Sequence, residues 1–217
     1  MMTNALIIFI KNPERGKVKT RLARTLGDDQ ALEIYEELTR ITRENVQALA
    51  EKMPPTQAYL FYDDYINYAD AWSNEHFQKH RQIGDDLGER MRQAFQTASQ
   101  NHSHVCIIGS DCPTLSTAIL AQAFEQLAAH DFVIGPSTDG GYYLLGINFS
   151  KLQAENPDKH PPQYIFEKMT WSTDTVMTET ISRLKKRGHS YALLPTLTDI
   201  DEEKDWLSYL SSQKDLN

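Results

Sequence analysis

A carboxylate that ends a buried strand can hold a metal-bound phosphate group, and the stretch Val105-Cys-Ile-Ile-Gly-Ser-Asp-Cys-Pro-Thr114 supplies one. Four apolar residues, three of them β-branched, run into Gly109, Ser110 and Asp111, the pattern of a strand covered on both faces and closed by a tight polar turn. Asp111 therefore stands at a strand's carboxyl end, where ligands bind in open α/β sheets. A lone Asp there can equally cap the helix that begins near Ser116. Asp199-Ile-Asp201, ahead of the last helix, poses the same choice between helix cap and oxygen ligand. Asp139 lies in the turn Ser137-Thr-Asp-Gly-Gly141, which suits a hairpin, and the second glycine with Tyr142 and Tyr143 adds hydrogen-bonding and stacking surface beside the carboxylate.

Cations complete the set. Lys11, Arg15, Lys17, Lys19, Arg21 and Arg24 oppose only Glu14, a surplus of five positive charges in a chain of net charge −8. A cationic loop after the first strand is suited to a phosphate chain. It is not a P-loop: Val18 follows Gly16-Lys17 where Ser or Thr is required, and no glycine lies five residues upstream. Cys112 as nucleophile would need an activating histidine, and no strand-end motif carries one. His102 and His104, in a polar run before a core strand, read as structural rather than as metal ligands.

The elements that must position these groups alternate. Ala5–Ile10 reads as a central strand, Asp28 as the cap of a long helix with Ala31, Ile34, Tyr35, Leu38, Ile41, Val46 and Leu49 inward, Pro54-Pro55 as its end and Gln57–Tyr62 as the next strand. Asp63 and Asp64 read as solvated loop acids. A weak strand at His80–Ile83 leads through Gly84-Asp-Asp-Leu-Gly-Glu-Arg-Met91 into a helix with Met91, Ala94, Phe95 and Ala98 inward, and Gly84 and Gly88 would let backbone approach a flat ligand. Ser116 to Ala129 predicts a helix, Asp131–Pro136 and Tyr142–Ile147 strands, and Ser150–Gln163 a polar excursion. Trp171-Ser-Thr173 introduces a helix from Asp174 to about Arg187 with Ser172 or Thr173 as cap, before the last strand Tyr191–Leu194 and a helix bearing Trp206, Leu207 and Leu210.

At 217 residues and 40% hydrophobic, the chain suits one α/β domain over residues 1–217. The acidic balance argues against a sequence-independent nucleic-acid binder. No apolar run approaches the ~20 residues that span a bilayer, so no membrane insertion is expected. Ala5–Ile10 is too short for a signal peptide and lacks a cleavage site, which predicts a cytoplasmic location, and two cysteines make no disulfide or zinc framework.

Six stretches in this order, Lys19-Thr-Arg-Leu22, Gly84 to Met91, Gly109-Ser-Asp-Cys-Pro113, Asp139-Gly-Gly-Tyr142, Trp171-Ser-Thr173 and Asp199-Ile-Asp201, resemble the GT-A-type nucleotide-diphospho-sugar transferase superfamily. That superfamily includes the molybdenum-cofactor and 2-phospholactate guanylyltransferases. The match is closest to the bacterial DUF2064 family, since named as glycosyltransferases, some linked to arsenosugar biosynthesis. The resemblance implies a three-layer fold: a mostly parallel twisted sheet of about seven strands with helices on both faces. It implies that Lys19 and Arg21 hold phosphates and Gly84 to Gly88 approach the base. Asp111 would bind a divalent cation with Asp201, or less directly Asp199, as partner, and the all-oxygen ligand set favours Mg²⁺ or Mn²⁺. Asp139, Gly140, Gly141, Tyr142 and Trp171 would face the acceptor. One departure is Asn12-Pro-Glu-Arg-Gly16, which replaces the superfamily nucleotidyltransferases' opening of small residues and glycine.

Two reactions fit. Glycosyl transfer from a nucleotide-diphospho-sugar to a small acceptor follows the family likeness. Nucleotidyl transfer from a nucleoside triphosphate to a phosphorylated small molecule follows the cationic loop. A nucleotide-binding module without turnover is disfavoured because both candidate ligand motifs are present.

Overall fold

The computed structural model describes residues 3–53, 56–152 and 160–214. Its seven strands are β1 (Asn4–Ile10), β2 (Thr56–Tyr62), β3 (Phe77–Arg81), β4 (His104–Ile108), β5 (Phe132–Pro136), β6 (Tyr142–Asn148) and β7 (Tyr191–Leu193), in the sheet order β3-β2-β1-β4-β6-β5-β7. The helices are α1 (Thr20–Leu26), α2 (Asp28–Lys52), α3 (Leu87–Ser99), α4 (Thr117–Ala129), α5 (Phe149–Leu152), α6 (Val176–Lys186) and α7 (Glu203–Lys214). Only β6 runs against its neighbours, antiparallel to both β4 and β5.

The apolar runs become central strands because both their faces are covered. In β1, Leu6, Ile8 and Ile10 face a core layer that includes Val46 and Leu49 of α2 and Leu120, Phe124 and Leu127 of α4. Ala5 and Ile7 face the opposite layer, with Met91, Phe95 and Ala98 of α3 and Leu184 of α6. This is the expected α/β sandwich of three layers. A satellite cluster joins Leu22, Ala31, Ile34, Leu38 and Ile200 beneath Trp206 and Tyr209 of α7.

Register fixes where the chemistry falls. Ile10 pairs with Tyr62, and Ile8 pairs with Ile108, so β1, β2 and β4 end along one edge of the sheet. Ile108 pairs in turn with Leu144, and because β6 is reversed, its first residues reach that same edge. The hairpin expected around Asp139 thus delivers the 137–141 turn beside the end of β4. Gly135 makes room for this packing, since a Cβ there would lie 2.4 Å from the Tyr143 ring.

Several boundaries differ from the sequence reading. β3 is Phe77–Arg81, not His80–Ile83, because an edge strand paired only to β2 buries little and its side chains give no clear alternation. The stretch read as continuous basic loop turns helical at Thr20, and Lys19, at φ 43°, occupies its N-cap in the left-handed region. Asp28 is the first residue of α2 and not its cap; Gly27, at φ 84°, stands before it. On α2 the buried residue is Thr42 in place of Ile41. α6 starts at Val176, with Thr173 Oγ1 donating to the Thr170 carbonyl and Ser172 at φ 62°, so neither caps it. The proposed Pro54-Pro55 break and residues 153–159 of the polar excursion lie outside the described residues. No helix among those described is long and apolar enough to cross a membrane.

Candidate functional site

The strand ends and the 137–141 turn surround a cleft of about 760 Å³, within the size range of small-ligand sites. Lys11, Lys19 and Arg21 line it from the β1 side, Asp111 from the end of β4, and Asp139, Asp199 and Asp201 from the far wall.

Asp111 is not a helix cap. That service falls to Ser116, whose Oγ accepts the Ile119 amide hydrogen bond. The Asp111 carbonyl instead accepts from the Ile200 amide at 2.9 Å, which ties the end of β4 to the segment carrying Asp199 and Asp201. Gly109 leaves space for the Asp111 carboxylate, since a Cβ there would lie 2.8 Å from its Oδ1. Nor do Asp199 and Asp201 cap α7: Asp205 Oδ2 accepts the Asp201 and Glu202 amides.

The Lys19 ammonium sits among these acids, 3.2 Å from Asp111 Oδ2 and 3.4 Å from Asp201 Oδ1, with its side chain 9% exposed. Burial opposes its charge, but attraction to Asp111 and Asp201 outweighs burial and raises its pKa. Arg21 closes on Asp201 Oδ2 at 3.3 Å. Asp199 differs. Its Oδ2 accepts from Ser137 Oγ at 2.7 Å, whereas Oδ1 is buried without a partner. Burial first, and the Asp111 charge second, push the Asp199 carboxyl up to about 7. The sequence expectation placed Asp201 ahead of Asp199 as the partner of Asp111; the geometry leaves the open oxygen on Asp199, while cations engage both oxygens of Asp201. Among the described residues, no three His, Cys, Asp or Glu side chains are already gathered as a metal site.

This raised pKa has a sign that can be tested. Below the ordinary carboxylate pKa both states hold the proton and Asp199 contributes no pH dependence. Between about pH 4 and about pH 7 the folded chain keeps a proton that the unfolded chain has released, so stability falls as pH rises; above that window the penalty is constant. Asp199→Asn is expected to flatten this slope in metal-free buffer. Urea midpoints at about pH 5 and about pH 8 should show the wild type losing roughly 1–3 kcal/mol more than the variant. Parallel losses would mean that Asp199 ionises normally.

The cationic loop divides. Arg15 turns outward to Asp29 at 2.6 Å and Lys17 to Glu14 at 2.6 Å. Neither lines the cleft, leaving Lys11, Lys19 and Arg21 facing it from this segment. Asp63, expected in solvent, accepts the Asn12 amide at 2.9 Å and lines the cleft, because buried Asn12 must be held against the 63–65 turn.

Gly84 and Gly88 serve close packing here. A Cβ on Gly84 would lie 2.8 Å from the Arg90 nitrogen, and one on Gly88 2.6 Å from the Trp171 indole. The cleft is met instead by Leu87, Arg90 and Met91 of the same stretch, together with Gln82. Arg90 Nε donates to the Gly84 carbonyl at 3.0 Å. These contacts were hidden in sequence because an Arg on an amphipathic helix reads as solvated; Leu87 at a polar helix start was the available signal. Trp171 lies against Gly88 with its indole N–H buried and unpartnered. Gly140, at φ 89°, receives the loop that follows, since a Cβ would lie 2.2 Å from the Asp174 carbonyl oxygen, and its own carbonyl accepts the Met177 amide. Asp139 Oδ1 accepts the Gly141 amide at 2.9 Å, and Tyr142 lines the cleft with its hydroxyl pKa raised by burial.

Cys112 is buried and its thiol pushed up to about 12, chiefly by burial, so it is no nucleophile at neutral pH. His102 sits away from the cleft, its Nε2 3.0 Å from the Tyr59 hydroxyl.

The seven-stranded, mostly parallel sheet, ordered 3-2-1-4-6-5-7 with helices on both faces, matches the fold of a solved structure described as a nucleotide-diphospho-sugar transferase. The chain is similar to a Desulfovibrio desulfuricans protein assigned to those transferases, at 28% identity over 93% of this chain and 84% of that one, with a TM-score of 0.78. Two more distant structures share the fold alone. One is a 4-diphosphocytidyl-2C-methyl-D-erythritol synthase from Anaerococcus prevotii (9% identity, 97% and 99% covered, TM-score 0.59). The other is a Mycobacterium tuberculosis protein solved in complex with manganese (12% identity, 98% and 100% covered, TM-score 0.54). No curated protein matches. Residues 46–173 match the profile of DUF2064, described as an uncharacterized protein conserved in bacteria, and the chain belongs to that family.

Proposed function

We propose that residues 1–217 form a single transferase domain that moves a glycosyl group from a nucleotide-diphospho-sugar to a small acceptor with a divalent cation. The observation that carries the reading is the pair of carboxylates Asp111, just past β4, and Asp199, in the segment before α7, the latter with a buried oxygen lacking any partner. A buried, raised, unpartnered carboxylate oxygen beside a second acid fits a hard cation, which would supply the missing charge. Asp111 and Asp199, with Asp201 adjoining, would hold Mg²⁺ or Mn²⁺, and that ion would neutralise the donor's diphosphate.

The chain's own residues supply the rest. An ammonium has three donors, and the two carboxylates near Lys19 use two of them, so one is left for a phosphate oxygen. Lys19 and Arg21 then stabilise the charge that grows on the departing nucleoside diphosphate. Asp139, exposed on the opposite wall, takes the proton from the acceptor hydroxyl as its oxygen bonds to the anomeric carbon and the sugar–phosphate bond breaks. Tyr142 and Trp171 line the same cleft.

The competing nucleotidyl reading rested on a six-cation loop. With Arg15 turned to Asp29 and Lys17 to Glu14, only Lys11, Lys19 and Arg21 of the six line the cleft, too few to favour a triphosphate. Supplying nucleotide sugars and nucleoside triphosphates with Mn²⁺ and a cell extract as acceptor source tests the choice. Release of nucleoside diphosphate from a nucleotide sugar is expected; acceptor-dependent pyrophosphate release instead would establish the nucleotidyl reading.

A further inference from the structure

Resting on the donor reading above, we propose that Gln82 and Arg90 read the donor's nucleobase and select one that carries a carbonyl oxygen beside a ring N–H, guanine or uracil, over adenine or cytosine. The cleft runs two ways from Asp111 and Lys19. One way lies the 137–141 turn with Asp139; the other follows the ends of β1 and β2, past Ile10, Lys11 and Asp63, to Gln82, Leu87 and Arg90. With the phosphates at Lys19 and the acceptor at Asp139, the nucleoside takes the second way.

Gln82 enters this arm with its amide already oriented. Its main-chain N–H donates to the Tyr62 carbonyl at 2.8 Å, and its side-chain Nε2 donates to the carbonyls of Ile10 at 3.3 Å and Phe61 at 3.0 Å. An amide nitrogen has two hydrogens, so both are spent, and Oε1 is the polar side-chain atom left for a ligand. Gln82 can therefore accept but not donate, which removes the two-bond contact that a glutamine makes with adenine.

Arg90 is the converse, a donor only. Its Nε donates to the Gly84 carbonyl at 3.0 Å, two residues along the chain from Gln82, and it forms no ion pair among the described residues. Nη1 and Nη2 are left as a planar fork. Together the two side chains call for one N–H and one strong acceptor. A guanine or uracil edge supplies both, its ring N–H to Gln82 Oε1 and its carbonyl oxygen, with two lone pairs, to the fork. An amino base could give one N–H to Gln82, but its second amino hydrogen would face the guanidinium, and its ring nitrogen has a single lone pair for two donors. Leu87, 42% exposed at the start of α3, adds apolar surface for the face of the base.

Calorimetric titration of the full chain with Mn²⁺ and each of GDP, UDP, ADP and CDP tests this in the wild type. GDP or UDP should bind at least about tenfold more tightly than both ADP and CDP. Arg90→Lys keeps the charge and loses the fork, so it should shrink that preference to less than about threefold. Four equal affinities would overturn the proposal and leave the donor reading standing. Tighter binding of ADP or CDP, or a preference unmoved in folded Arg90→Lys, would overturn it equally, the latter assigning Arg90 to the phosphates. Binding by none of the four would remove the donor reading and the proposal with it.

Discussion

Asp111→Asn is expected to abolish nucleotide-dependent Mn²⁺ binding and to lower transfer by roughly a thousandfold, while the chain stays folded. The amide keeps the shape of the side chain beside Gly109 but cannot balance a divalent charge. The main-chain bond from Ile200 to the Asp111 carbonyl does not depend on the side chain and should persist. A second consequence separates loss of chemistry from loss of structure. The Asp111 charge helps raise the Asp199 pKa, so removing it should bring Asp199 down and flatten the fall of stability between about pH 4 and about pH 7, against a loss of attraction to Lys19 that is the same across that window. Calorimetry with Mn²⁺ and urea unfolding measure the two effects. Metal binding that survives with wild-type affinity would place the cation elsewhere.

Lys19→Met should weaken binding of a nucleoside diphosphate by about 1.5–3 kcal/mol while affecting the bare nucleoside little, because a charge-assisted contact to phosphate is lost. The folded state also loses the buried counter-charge of Asp111 and Asp201. Those two carboxylates remain about 40% exposed at the side chain, so water offsets much of that cost. The unbranched methionine keeps the packing of the aliphatic stem. Equal losses for nucleoside and nucleoside diphosphate, measured by titration, would show that Lys19 serves the acids alone and never reaches phosphate.

The parts of this molecule that could be read from sequence are those that one segment determines by itself. Ala5–Ile10, Val105–Ile108 and Phe132–Ile134 are uninterrupted apolar runs, and each became a doubly covered strand. The reversal of β6 was legible because a short Asp-Gly-Gly turn permits no crossover. What could not be read depends on partners far along the chain. Asp199 and Asp201 are two residues apart and indistinguishable by spacing; Ser137 engages one and Lys19 and Arg21 the other. Charge counting registered six cations after β1 but not that Asp29 and Glu14 would draw two of them outward. Gly84 and Gly88 read as openings for a ligand, and only three-dimensional packing shows that the α3 turn and Trp171 fill the space beside them.

The single reversed strand also bears on how this site could diverge. Because β6 returns directly beside β4, two short windows, 137–143 and 199–201, bring Asp139, Tyr142, Asp199 and Asp201 to the cleft. The other wall is gathered from the ends of β1 and β2, the start of α3 and the end of β4, with the Asn12–Asp63 bond tying two of those pieces together. A few neighbouring codons can therefore rewrite one side of the cleft, whereas the other yields only to concerted changes at distant positions. Inherited variation should accumulate unevenly across the cleft, with drift in the two windows around a fixed Asp139, Asp199 and Asp201, and constancy in the scattered wall.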